Sequence, residues 1–191
     1  MSMIKRIEYL EKPKKWKDED LIKVVTGIRR CGKSTLLELF IEYLKEEKID
    51  EEHIVSINLE SLEYNFSNCK DLYFYVVSKI KEDKKYHVFL DEIQNIEGFQ
   101  KAVDIYIAGS NAFLLFGELA TLLTERYVEI KMLPLSFKEY VSAFSGNNNY
   151  QSLFLEYMKN GGMPGTISVL DVGINDINIW IVSFQQFFLK I

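Results

Sequence analysis

The sequence predicts an α/β chain: a three-layer αβα core around a five-stranded, mostly parallel sheet. Three observations carry this. Compact apolar runs alternate five times with stretches of helical spacing. The first run, Leu21–Thr26, is compact and mostly apolar, with Lys23 inside it, as in a buried strand. A glycine-containing segment, Gly27 to Ser34, joins that run directly to the first amphipathic stretch.

The elements follow in order. A short helix is expected around Ile4–Glu11, ahead of the strand Leu21–Thr26. Ser34–Lys48 places Leu36, Leu37, Phe40, Ile41 and Leu44 on one helical stripe. His53–Leu59 is a second strand, and Asp71–Lys81 carries Leu72, Val76 and Ile80 at helical spacing. Tyr86–Leu90 is a third strand, ending on Asp91-Glu92. Helical spacing returns over Asn95–Val103 and Leu114–Thr124, which flank a fourth strand, Ile105–Ala108. Arg126–Lys131 is the fifth strand. Beyond Pro134 the pattern is helical through Phe144 and again over Gln151–Lys159, broken at Gly161-Gly162.

Composition narrows the function classes. The 191 residues are 48% hydrophobic and 27% charged, as in a globular chain with a real core. The net charge of −5 argues against general nucleic-acid or anionic-membrane binding. Cys31 and Cys69 form no CxxC pair, and His53 and His87 lack ligand-spaced partners, so neither disulfides nor structural zinc is expected. With no apolar signal region and no long apolar span, the expected setting is a reducing cytoplasm, away from membranes.

Gly27-Ile28-Arg29-Arg30-Cys31-Gly32-Lys33-Ser34 matches GxxxxGK[ST] between a strand and a helix, the context of a P-loop. Gly27 and Gly32 let the backbone curl until its N–H groups face phosphate oxygens. The helix beginning near Lys33 points its positive end at the same anion. Lys33 supplies a mobile charge for the β- and γ-phosphates, and Ser34 offers a hydroxyl to Mg²⁺. The nucleotide contacts are therefore expected from residue 27 through Thr35. One of Arg29 and Arg30 is expected to help cradle phosphate and the other to face solvent. The Cys31 thiol, near a lysine and a helix start, is expected to be unusually acidic.

Val88-Phe89-Leu90-Asp91-Glu92 ends an apolar strand on two acids, which is costly unless they meet a cation. After a P-loop this is the Walker B position: Asp91 for Mg²⁺, Glu92 for orienting and deprotonating the attacking water. The competing reading is an acid that caps the next helix. At the end of the fourth strand, Ser110 or Asn111 would reach between Lys33 and Glu92 as a sensor of the γ-phosphate, or would simply form a turn. Arg126 would reach a neighbouring subunit's nucleotide as a finger, or sit in a surface ion pair. Lys12, Lys14, Lys15 and Lys17 surround Trp16, but Asp18, Glu19 and Asp20 cancel most of that field. A solvated arm is favoured there over a nucleic-acid contact.

The chain resembles the AAA-type ATPases of the AAA_14 group, which usually carry a DUF4143 region after the ATPase core. The matching strings are VVTGIRRCGKSTLL, INLE, VFLDEIQNI, IYIAGSNAFLL, GELATLLTERYVEI, LPLSFKEY and NGGMPGT, from about Leu21 to Thr166. The resemblance implies an AAA-like P-loop core over residues 1–132, then the start of a small helical lid and a divergent tail over 133–191. Three departures stand out. The link from Asp91 to Ile105 is near the minimum for a parallel crossover, as though a segment were deleted. Glu125 replaces the family's usual glycine before Arg126 and is placed to pair with it. Past Thr166 the likeness stops, and the apolar stretch Ile179–Ile191 is too short to span a bilayer.

The function expected from all this is ATP binding with Mg²⁺-dependent hydrolysis. Homo-oligomers or a protein partner are compatible with it. The alternative is a nucleotide-binding regulatory or interaction module with little turnover, truncated relative to its family.

Overall fold

Strands β1 (Ile22–Gly27), β2 (Ile54–Asn58), β3 (His87–Asp91), β4 (Tyr106–Ala108) and β5 (Tyr127–Met132) form one sheet in the order β2-β3-β4-β1-β5. This computed structural model describes residue 4 and residues 6–19, 21–93, 106–109, 127–144 and 149–171. Every neighbouring pair is parallel. β3 is buried along its whole length and β1 up to Gly27, because both faces are covered. β2, at one border, alternates instead. The expected α/β architecture is thus present. The helices expected at 95–103 and 114–124 fall outside the described residues.

Among the described residues, three helices accompany the sheet: α1 (Ile7–Lys15), α2 (Lys33–Glu46) and α3 (Cys69–Lys79). α1 runs later than the expected 4–11 and passes through the buried Pro13. A proline there removes the N–H that would be donated to the carbonyl four residues back and crowds that carbonyl, and the helix ends two residues further on. α2 meets both the sheet and α1, and Leu39 is buried beside Leu36, Leu37, Phe40 and Leu44. The α3 start is set by Asn68, whose side chain accepts hydrogen bonds from the N–H groups of Lys70 (2.8 Å) and Asp71 (3.3 Å).

One face of the sheet gathers Ile22, Val24, Val55, Ile57, Val88, Leu90 and Ile107 with Leu72 of α3. On the other face three rings meet: Phe89 stacks on Tyr106 with centroids 4.7 Å apart, and Phe40 of α2 lies 5.2 Å from Tyr106. Burial at this magnitude, near 25 cal/mol per Å² of apolar surface, is what holds the layers together.

At the start of β3, His87 is 4% exposed, and its pKa is lowered to about 4. Loss of water is the main cause; Lys85, Lys17 and Lys23 add to it, and Asp18 opposes it. The imidazole is therefore buried neutral. As pH falls below the unfolded value of 6.5, the unfolded chain takes up a proton that the folded one refuses. Stability should drop by about 2 kcal/mol between pH 7 and pH 5 from this group. Urea unfolding of His87→Gln over that range should remove this component of the slope; an unchanged slope would refute the assignment.

The described residues divide into two compact units. Residues 6–28 and 33–132 contribute to the first; Ile4, residues 29–32 and residues from 133 onward contribute to the second. The second holds α4 (Phe137–Ser142), α5 (Tyr150–Asn160) and α6 (Pro164–Asp171). α4 opens on a reciprocal cap: the Ser136 hydroxyl accepts from the Glu139 N–H at 3.3 Å, while the Glu139 carboxylate accepts from the Ser136 N–H at 2.8 Å. Leu135, Tyr140, Leu153 and Ile167 form its core. α5 ends at Gly161, which has φ 75°. Gly162 then lies against the chain at Leu135: the Leu135 N–H donates to the Gly162 carbonyl at 2.5 Å, and the Tyr157 hydroxyl donates to the Leu135 carbonyl at 2.8 Å. The LPLSF and GGMP segments are thereby joined. α6 was not foreseen from the sequence pattern.

Candidate phosphate-binding site

The apolar strand β1 leads straight into the candidate loop, and α2 begins at Lys33. Lys33 is 4% exposed, so its ammonium needs acceptors. It donates to the carbonyls of Gly27 (3.2 Å) and Ile28 (3.1 Å), folding back over the loop's first residues. The neighbouring Ser34 is exposed, and its hydroxyl lies near enough to the Asp91 carboxyl to lower that group's pKa. The ends of β1 and β3, which sequence spacing alone does not bring together, thus meet through α2's first turn.

Asp91 is 8% exposed. Burial pushes its carboxyl pKa above the ordinary value and the Glu92 charge adds to that; the Ser34 hydrogen bond, the Glu92 N–H and the Lys33 charge pull it back. Glu92 donates its backbone N–H to Asp91 Oδ1 at 3.0 Å and has φ 54°, a left-handed conformation unusual for glutamate. Its side chain is half-buried. The acid that would hold a cation is therefore braced, and the next acid is set off the line of the strand by a backbone turn.

The tip of the loop belongs to the second compact unit. Arg29 and Arg30 are exposed and Cys31 is buried. Arg30 has φ 65° and Gly32 φ 95°, so the chain bends left-handed on both sides of Cys31. A Cβ at Gly32 would stand at ordinary contact distance, 3.7 Å, from Pro164 Cγ; backbone conformation, not crowding, is what calls for glycine there. Thr35 is half-buried in the first turn of α2.

β4 lies between β1 and β3, and the Gly109 N–H donates to the Val25 carbonyl at 3.4 Å. β4 therefore ends between the strand feeding Lys33 and the strand ending in Asp91. Ser110, Asn111 and Arg126 lie outside the described residues. One polar pair carries no motif: Thr26 donates its hydroxyl to Glu129 at 2.5 Å, at the root of the loop. The only signal for it is a polar residue at the end of an apolar strand. Among the described residues no group of three or more His, Cys, Asp or Glu is placed to hold a metal, and no helix is long and apolar enough to cross a membrane.

Similar proteins agree with this architecture. An uncharacterized protein of Haemophilus influenzae is 43% identical over 180 residues, covering 87% of this chain and 45% of its own. Another, from Methanocaldococcus jannaschii, is 30% identical over 173 residues, covering 78% of this chain and 37% of its own. The chain thus spans less than half the length of either relative. Among solved structures, a Walker-type ATPase of Pyrococcus abyssi superposes with a TM-score of 0.56 at 18% identity, over 90% of this chain and 69% of that one. Hsp104, in a closed state with ATPγS and FITC-casein, gives 0.61 at 14% identity, over 97% of this chain and 40% of that one. At such identities the likeness establishes the fold, that of P-loop ATPases. The match to the AAA domain family AAA_14 covers residues 19–141, most of the chain, and the chain belongs to that family.

Proposed function

We propose that the chain binds ATP together with Mg²⁺ and hydrolyses the β–γ bond. The observation that carries this reading is the meeting of Lys33, Ser34 and Asp91. A buried ammonium whose hydrogen bonds run to two backbone carbonyls can turn to phosphate oxygens at small cost. A serine hydroxyl against a buried carboxyl offers two hard oxygen donors, the set that suits Mg²⁺ completed by phosphates and water. Ser34 and Asp91 would hold the cation, which when bound supplies charge neutralisation at the phosphates. The N–H groups from Gly27 to Thr35 would cradle the phosphates.

In this reading Glu92 orients and deprotonates the attacking water. Asn111 or Ser110 takes the sensor position after β4, and Arg126 acts as a finger toward a second copy. Oligomers and a protein partner remain part of the proposal, with nucleic acid the weaker candidate partner.

The test is Mg-ATP binding and phosphate release by the parent and Lys33→Ala. The parent should do both. Lys33→Ala should bind about tenfold to a hundredfold more weakly, the loss expected for a charge-assisted contact. Binding by the parent without phosphate release would favour a regulatory or interaction module instead. Equal binding by both proteins would remove Lys33 from the site.

A further inference from the structure

The candidate loop is anchored by a bond outside every motif. Thr26, the residue before Gly27, is 1% exposed and donates its hydroxyl to Glu129 Oε1 at 2.5 Å. Glu129 is an exposed residue of β5, the border strand next to β1. In the parallel register Glu129 stands opposite Val24, while Thr26 stands opposite Lys131. The bond therefore runs diagonally across the strand pair. A diagonal tie adds a side-chain link between the two strand ends to the ladder bonds.

We propose that Glu129 is a positioning residue for the phosphate loop, acting through Thr26. The inference rests on the nucleotide-binding reading above. The β1–β5 pairing continues through Gly27, which stands opposite Met132. The Gly27 carbonyl is also one of the two acceptors of the Lys33 ammonium. The strand end held by Glu129 is thus the one from which the loop departs and on which Lys33 rests. An exposed glutamate has several rotamers open to it, and ordering its side chain costs entropy. That it reaches a buried hydroxyl instead of water means the hydroxyl has a charged acceptor and the loop root a fixed orientation. Without it, a buried donor loses its partner one residue before the loop.

The experiment measures Mg-ATP affinity by calorimetry, with urea unfolding in parallel, for the parent, Thr26→Val, Glu129→Ala, Glu129→Gln and the Thr26→Val/Glu129→Ala double variant. Valine matches threonine in shape and favours strands, so Thr26→Val should fold. Thr26→Val and Glu129→Ala should each weaken affinity roughly three- to tenfold. The double variant should be no worse than either single, because one bond is being removed twice. Glu129→Gln keeps an acceptor oxygen and should stay within about twofold of the parent. Unchanged affinity in Thr26→Val and Glu129→Ala, whether or not unfolding shifts, would overturn the inference and leave the pair a strand tie. Additive losses would overturn it as well. A parent that binds no Mg-ATP would overturn the nucleotide reading itself, a result distinct from either.

Discussion

Glu92→Gln should bind Mg-ATP as the parent does and release phosphate about 10²- to 10⁴-fold more slowly, the range for loss of a positioned general base. Glutamine keeps the length and shape of the side chain and an acceptor oxygen. What it loses is basicity, so binding and chemistry should separate. The backbone supports this. Glu92 has φ 54°, and its N–H is tied to Asp91 Oδ1 at 3.0 Å. The substitution leaves both in place, since glutamine meets the same steric limits at that φ. Asp91 should therefore stay beside Ser34, where the proposed cation would be held. The measurement is a single-turnover phosphate-release assay beside an equilibrium binding titration. Unchanged turnover would move the base elsewhere; loss of binding as well as turnover would mean that Glu92 braces the site instead of activating water.

The second large effect is structural. Gly162→Ala should destabilise the unit built on Tyr140 by about 3 kcal/mol or more, as over-packing combined with broken hydrogen bonds does. A Cβ at Gly162 would collide with the Leu135 carbonyl oxygen and press on the Tyr157 hydroxyl at 3.1 Å and ring at 3.2 Å. The backbone cannot retreat without giving up the Leu135 N–H to Gly162 bond, and Tyr157 cannot turn away without releasing the Leu135 carbonyl. Gly165→Ala is the matched control, because a Cβ there meets nothing within 4 Å and the residue lies in α6. It should be neutral or slightly stabilising through helix propensity. Near-UV circular dichroism on urea unfolding follows both. If Gly162→Ala unfolds like Gly165→Ala, the close approach is not what holds the two segments together.

The sheet was legible because parallel strands buried on both faces leave compact, mostly apolar runs such as IKVVT and HVFL. The loop was legible because few sequences place two glycines, a lysine and a serine between such a run and a helix. What spacing could not show was contact. Ser34 against Asp91, and Thr26 against Glu129 across 103 positions, depend on strand order, which periodicity does not encode. Gly161-Gly162 read only as a helix stop; its approach to Leu135 appears when the chain is folded. α6 went unseen because a proline followed by glycine, threonine and β-branched residues is a poor helical pattern, here overridden by the burial of Ile167.

Three described residues other than glycine have positive φ: Arg30, Lys48 and Glu92. Each would be eased by glycine, by about 1 kcal/mol. Lys48 follows the end of α2, where the Ile49 N–H closes onto the Leu44 carbonyl at 3.1 Å, a common helix ending that glycine usually serves. Arg30 and Glu92 stand beside the candidate chemistry. A library screened for heat resistance alone would tend to enrich glycine at all three and could not tell them apart. Screened for turnover, it would accept the change at 48 and reject it at 92. The backbone thus marks where this chain's robustness and its work compete.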